Sequence, residues 1–148
     1  MDKQLVETGF VNEACILSAE DGSLWASAPE TFMPRAYLAS VVLESGAEKE
    51  MLVNEADDLA SVARSLQKPA AGLRVNHVKY TITRAMANGS LDDGLKTLYF
   101  KKPMGGGCLC VTRQCVIIGT FDENKAQSMS NCNLAVENLA RFLKQNNF

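Results

Sequence analysis

The pattern of apolar and polar residues divides this chain into helical and extended segments. Apolar residues recur at helical spacing after Asn54, which is suited to cap a helix, and the pattern stops at Pro69. A second helical pattern follows Asn131 and continues through Leu143. A short apolar stretch that stops at Gly9 predicts another helix near the amino terminus.

Between these helices, short runs of β-forming residues separated by turn residues predict strands. The first hairpin runs through residues 14–17, turns at Asp21-Gly22 and returns through residues 24–26. Five further strands are predicted at residues 73–75, 79–83, 95–100, 108–112 and 115–120. This order predicts an α+β domain, residues 1–148, in which helices pack on a single meandering antiparallel sheet.

The segment at about 35–54 predicts a hairpin arm. Residues 37–43 are rich in β-forming side chains, and residues 51–53 form a second apolar run. The polar stretch between them contains Gly46, which suits a turn. We therefore expect two strands that protrude from the domain.

Composition and charge exclude several classes of function. The chain has 148 residues and a net charge of -2, so no overall basic field attracts nucleic acid. No apolar run approaches the ~20 residues that a membrane-spanning helix needs, and no signal peptide is recognised. The 5 cysteines are an odd number, which favours reduced thiols and a cytoplasmic location.

The candidate chemical groups do not indicate an enzyme. Cys108 and Cys110 point to one face of a predicted strand, but there is no CxxC pair and His77 is the single histidine. Buried cysteines acting as small apolar residues are the favoured interpretation, with no metal and no cofactor. The glycines at 105–107 lack the lysine and hydroxyl residue of a phosphate loop, so we interpret them as a flexible connection between strands.

Two groups of side chains stand out, and each has an ordinary alternative explanation. Cations gather around the later strands, where lysines can simply protect a solvated sheet edge. Aromatic residues occur on a strand and near the carboxyl terminus, where they can simply share a core. The cations are Lys79, Arg84, Lys96, Lys101, Lys102 and Arg113, and the aromatic residues are Trp25, Phe142 and Phe148.

Three blocks of sequence resemble the profilins over nearly the whole chain. Residues 9–27 contain the DG-x-x-WA-S pattern of the family's first hairpin, here from Asp21 to Ser27. Residues 101–107 are similar to its lysine-glycine loop, and residues 131–143 to its last helix. Residues 52–84 and 121–125 look closest to profilins of the apicomplexan kind, which carry an extra hairpin arm.

This resemblance implies a fold, a partner and a binding face. The fold is a central antiparallel sheet with the amino- and carboxyl-terminal helices on one face and a shorter helix on the other. The partner is monomeric actin, an acidic protein of the cytoskeleton, whose polymerisation the chain would regulate. The implied actin-binding residues are Lys79, Thr81, Arg84, Lys101, Lys102, Thr112, Arg113, Ser128, Ser130, Asn131, Asn133 and Glu137.

The sequence departs from the family at its polyproline site. Profilins usually begin with a helix carrying a WQ-x-Y-like pattern, whose rings stack on polyproline beside the hairpin tryptophan and the last helix. Trp25, Phe142 and Phe148 match the remaining positions, while Met1 falls about where the tyrosine of that pattern would be. We expect binding to proline-rich proteins such as formins to be weak or lost.

Other functions stay open when the residues are taken alone. A layered domain of this shape can hold a small ligand between sheet and helix as a sensor, which an internal cavity would support. A scaffold that keeps the fold and binds neither partner is a third interpretation. Phosphoinositide binding also stays open, although the net charge of -2 does not favour it.

Overall fold

The computed structural model describes residues 9–42, 45–69, 72–87 and 95–147. It contains helices α1 (Glu55–Ser65) and α2 (Met129–Gln145), with a 3-10 turn at Glu123–Lys125. The strands are β1 (Glu13–Ser18), β2 (Leu24–Ala28), β3 (Ala36–Val42), β4 (Glu48–Asn54), β5 (Leu73–Val75), β6 (Val78–Met86), β7 (Lys96–Lys102), β8 (Gly105–Val111) and β9 (Cys115–Asp122). The helix predicted near the amino terminus lies outside the described residues.

Seven strands form one antiparallel sheet in the order β2-β1-β9-β8-β7-β6-β5, and β3 pairs with β4 in a separate hairpin. Strands β7, β8 and β9 are consecutive and antiparallel, so they run as a meander through the middle of the sheet. The predicted α+β class with one antiparallel sheet is confirmed. None of the helices in the described part of the chain is long and apolar enough to cross a membrane.

Strand periodicity divides the core into two layers, because successive side chains point to opposite faces of the sheet. On one face Ile117 packs in a cluster with Val136 of α2. On the other face the next residue, Ile118, packs in a cluster with Leu59 of α1. Each helix therefore covers one face of the sheet, and the two faces can be followed residue by residue.

Polar side chains determine where both helices begin. Asn54 caps α1 as predicted, accepting a hydrogen bond from the Asp57 amide at 3.2 Å. For α2 the prediction of Asn131 or Asn133 as the cap is wrong, because the helix starts earlier. Ser128 is the cap, and its hydroxyl accepts from the Asn131 amide at 3.3 Å.

The interpretation of the glycines at 105–107 as a flexible connection is also wrong. They form the buried start of β8 and pair with both β7 and β9. A Cβ atom on Gly107 would lie 2.3 Å from the Gly119 carbonyl oxygen and 2.7 Å from the ring of Phe100. Glycine is needed there for close packing, and the turn itself is made by Pro103 and Met104.

The β3–β4 hairpin is anchored at its base by a buried carboxylate. Glu55, the first residue of α1, is 0% exposed. Its Oε1 accepts from the Arg35 amide at 2.8 Å and the Asn76 amide at 2.7 Å. Its Oε2 accepts from the Tyr37 hydroxyl at 2.6 Å and the His77 amide at 2.9 Å. One side chain thus joins the hairpin, α1 and the β5–β6 turn.

Candidate binding surfaces at the two ends of the sheet

The antiparallel register separates the predicted site residues into two groups. At one end of the β7–β8 pair Lys102 lies opposite Gly105, and at the other end Lys96 lies opposite Val111. Lys101 belongs to the first end, whereas Thr112 and Arg113 follow β8 at the second. Six steps along a strand span about 20 Å, so these residues do not form one cluster.

At the first end, four of the predicted residues share one face of the sheet, the face that α2 covers. Tyr80, Ile82 and Phe100 pack on the α1 side, so their exposed neighbours in the strands point the other way. Thr81 pairs with Lys101, and after a bulge Arg84 pairs with Tyr99. Directly paired residues lie on the same face. We call this group the lysine-turn surface: Lys79, Thr81, Arg84 and Lys101.

Lys102 does not belong to this surface, although it is next to Lys101 in the sequence. Its Nζ lies 5.9 Å from the centre of the Tyr80 ring, which is part of the core on the α1 side. At that distance a weak cation–π attraction is expected. The two neighbouring lysines therefore point to opposite faces of the sheet.

The start of α2 lies at the same end of the sheet, because β9 ends at Asp122, which pairs with Gly105. Ser128, Ser130 and Asn131 are exposed in this first turn, at the same end of the strands as Lys101. Asn133 is buried instead, and its Oδ1 has no hydrogen-bond partner among the described residues.

Glu137 is also buried, at 4% exposure, and has a structural contact that the sequence did not reveal. Its carboxylate accepts a 2.6 Å hydrogen bond from the hydroxyl of Tyr99 in β7. Burial, followed by this hydrogen bond, raises the pKa of Tyr99 well above its usual range. Alternation in β7 places Tyr99 on the α2 face, and that was the signal available in the sequence.

The second end of the sheet carries an open cleft of about 740 Å³. We call it the basic cleft, since the described residues that line it include four cations and one carboxylate. The lining residues are Ser18, Ala19, Glu20, Trp25, Ala63, Arg64, Lys96, Val111, Thr112, Arg113, Gln114 and Lys144. The cleft is open and combines strand ends with Ala63 and Arg64 of α1 and Lys144 of α2, whereas the sensor interpretation would require an internal cavity.

Thr112 and Arg113 have different roles at this end. Thr112 is buried, and its hydroxyl accepts from the Cys115 amide at 3.2 Å, which fixes the β8–β9 turn. Arg113 is exposed on that turn. Of these two predicted site residues, Arg113 is the one that can readily meet a partner.

The aromatic residues of the predicted polyproline site lie near this same end. Trp25 is 48% exposed and Phe142 is 54% exposed. Trp25 lines the cleft together with Lys144, which is two residues beyond Phe142 in α2. Trp25 therefore lies near the last turns of α2. The third predicted ring, Phe148, lies outside the described residues.

All five cysteines are buried free thiols. The Sγ atoms of Cys108 and Cys110 are 3.7 Å apart, and burial raises the pKa of the Cys108 thiol. Burial also raises the pKa of Cys132 to about 12. Thiols held in the protonated form are poor nucleophiles and poor metal ligands. Among the residues with described positions, no group of three or more acidic, cysteine or histidine side chains is arranged to hold a metal ion.

In the part of the chain that the structure describes, one helix packs on each face of the seven-stranded antiparallel sheet, and exposed polar side chains lie at both ends of its strands. Comparison with known proteins identifies the family to which the chain belongs. The family model described as profilin matches residues 1–148, and the chain belongs to the profilin family. Profilins are actin-binding proteins without catalytic chemistry of their own, so this chain is not an enzyme.

Individual relatives agree with this assignment. Profilin-A of Physarum polycephalum is 33% identical over 148 residues, covering 100% of this chain and 95% of the relative. The profilin of Tetrahymena pyriformis is 31% identical over 151 residues, covering 96% of this chain and 89% of the relative. The solved structure of Acanthamoeba castellanii profilin IA superposes with a TM-score of 0.69 at 25% identity, covering 99% of this chain and 95% of that one. The closer likeness to apicomplexan profilins stays a prediction.

Proposed function

We propose that this chain binds monomeric actin through the lysine-turn surface and the adjoining first turn of α2, and so regulates actin polymerisation. The observation that carries the proposal is the shared, exposed face of Lys79, Thr81, Arg84 and Lys101 beside α2. Ser128, Ser130 and Asn131 extend this surface along the helix start. As a partner of actin, the chain would act in the cytoplasm, with the cytoskeleton.

The other residues predicted for the actin site form two groups. Some are buried beneath the proposed surface and support it, and the others lie away from it. Asn133 and Glu137 are buried, so Glu137 supports the surface by holding α2 against β7 through Tyr99. Thr112 and Arg113 lie at the far end of β8, about 20 Å away. We therefore leave them outside the actin surface, together with Lys102 on the opposite face.

Electrostatic attraction is the main contribution that the exposed cations make. Three of the four residues on the lysine-turn surface are positively charged, in a chain whose net charge is -2. Against an acidic partner such charges mainly accelerate association and make it depend on salt, with a smaller effect on the lifetime of the complex. The positive charge at this surface therefore supports a partner of opposite charge.

Exchanging the charge of either of two neighbouring lysines tests this proposal. Lys101→Glu should weaken binding to actin monomers about tenfold, since it places a like charge against an acidic surface. Lys102→Glu makes the same change in net charge one residue away, on the other face, and should bind nearly as wild type. Pyrene-actin assembly at several protein concentrations gives the affinity of each variant. Equal affinities for the wild type and Lys101→Glu would exclude this surface.

We also propose that binding to proline-rich segments, as found in formins, is weak. The described rings at the carboxyl-terminal end of α2 are Trp25 and Phe142, each about half exposed. Phe10 is exposed too, but the neighbouring Gly9 carbonyl accepts from Gln127 near the start of α2, at the opposite end. Two rings offer a short stacking surface for a polyproline helix.

A further inference from the structure

The basic cleft concentrates positive charge that the proposed actin surface does not use. Arg64, Lys96, Arg113 and Lys144 come from α1, β7, the β8–β9 turn and α2, and all four line this one cleft. Among the described residues that line the cleft, Glu20 is the single carboxylate, so this described lining carries a net charge of three positive units in a chain whose net charge is -2. A cleft of one sign focuses the field and attracts oppositely charged ligands.

The width of the cleft distinguishes between kinds of anion. Trp25 lies on β2 and Lys96 on β7, and these strands are four positions apart in the sheet. At a spacing of ~4.8 Å between strands, they are about 19 Å apart. A single phosphate-sized ion cannot reach side chains spread over that distance. An extended peptide of about six residues can, since each residue advances ~3.3 Å.

The uncharged part of the lining also suits a peptide. Ala19, Ala63 and Val111 contribute apolar surface between the cations, and Trp25 offers a half-exposed ring at one edge. Binding clefts commonly combine apolar contact with a few polar or charged groups that fix the orientation of the ligand.

We infer that the basic cleft is a second binding site, which takes an extended acidic peptide segment of a partner protein. Carboxylates of the peptide pair with Arg113, Lys96 and Arg64, while an apolar side chain rests on Trp25. The site lies at the opposite end of the strands from the lysine-turn surface, so peptide and actin bind together. The inference does not depend on actin binding, because the two sites share no residue.

Trp25 makes the site directly observable, since it is the chain's single tryptophan and lines the cleft. Titration with a capped hexaglutamate peptide should change its fluorescence in a saturable way, and added salt should weaken the binding. A hexaglutamine peptide of the same length should have no effect. Absence of saturation with hexaglutamate, or an equal response to hexaglutamine, would overturn the inference.

Charge-reversal variants locate the peptide. Arg113→Glu should weaken hexaglutamate binding about tenfold, and Arg113→Gln should weaken it less. Lys49→Glu in the β3–β4 hairpin is the matched control, because it changes the net charge equally and Lys49 does not line the cleft; it should bind as wild type. An equal loss in both charge-reversal variants would show a general charge effect and refute the site. Binding to phosphatidylserine vesicles without binding to the peptide would refute it in favour of a membrane surface.

Discussion

At the scale of single residues, Glu55 shows how one buried carboxylate can organise a fold. Its two oxygens accept four hydrogen bonds, three from backbone amides and one from a phenol. The sequence indicated only a favourable acidic residue in the first turn of α1. Its contacts are 18 to 22 residues away in the chain, so local patterns could not predict them.

We expect Glu55→Ala to be among the most destabilising substitutions in this chain. It would leave three partly buried amides and a hydroxyl without their acceptor, and such a group costs roughly 1–3 kcal/mol when it is fully buried. A loss of at least ~3 kcal/mol in the free energy of unfolding should appear in urea titrations. Tyr37→Phe removes only one of the four donors and should cost about 1 kcal/mol. Asp57→Ala changes an exposed carboxylate in the same helical turn, so a similar loss there would contradict this role for Glu55.

At the scale of elements, two sequence signals were informative. Runs of β-forming residues separated by turn residues predicted the meander of β7, β8 and β9, and alternation within strands determines which neighbours of Lys101 share its face. It could not place Lys101 and Thr112 at opposite ends of the sheet, because that depends on the pairing register. The three glycines at the start of β8 were misinterpreted for a related reason: their close contacts, with Phe100 and Gly119, come from other strands.

Two tyrosines that donate hydrogen bonds to glutamates, Tyr99 and Tyr37, predict a loss of stability at high pH. The pKa of Tyr99 is raised by burial and by the Glu137 hydrogen bond, and that of Tyr37 is raised to about 12 by burial and Glu55. Both exceed the value of about 10 in an unfolded chain. The stabilisation that these two protonated tyrosines contribute is therefore fully present below pH ~10. It is lost as the pH rises through their folded-state pKa values.

Two measurements check this expectation. Tyrosinate absorbance at pH ~10.5 should be small in the folded protein and large in urea, because the unfolded phenols ionise near pH ~10. Tyr99→Phe should lower stability at neutral pH by about 2 kcal/mol and reduce its fall at high pH. A double-mutant cycle with Glu137→Gln isolates the contribution of the pair. An ordinary tyrosine titration in the folded state, or no coupling between the two residues, would contradict the contact as described.

At the scale of the whole molecule, the charge distribution separates two partner surfaces. Although the net charge is -2, the chain has two local groups of cations. One lies beside the start of α2, and the other lines the basic cleft near the end of α2. The sequence analysis grouped most of these cations in a single set. It predicted the strands that carry them but not which end of the sheet, or which face, each side chain occupies. The seven-stranded sheet keeps the two groups a strand length apart.

The same separation gives a prediction for proline-rich ligands. A polyproline II helix is preformed, so a groove of aromatic rings binds it at little cost in ordering, and the affinity follows the number of rings. Each ring contributes roughly 1 kcal/mol beyond simple burial. Trp25 and Phe142 are the exposed rings described at the carboxyl-terminal end of α2. A groove with two rings fewer than a full one would lose about 2 kcal/mol, or more than tenfold in affinity.

We therefore expect a decaproline peptide to bind weakly or undetectably when Trp25 fluorescence is followed. Phe142→Ala should abolish any residual response, whereas Leu134→Ala, which truncates an exposed apolar residue about two turns nearer the start of α2, should leave it unchanged. Saturating actin should not alter the result, because the lysine-turn surface lies at the other end of the sheet. Saturation at low micromolar concentrations of the peptide would contradict weak binding. It would show that Trp25, Phe142 and the residues next to them form a complete polyproline groove.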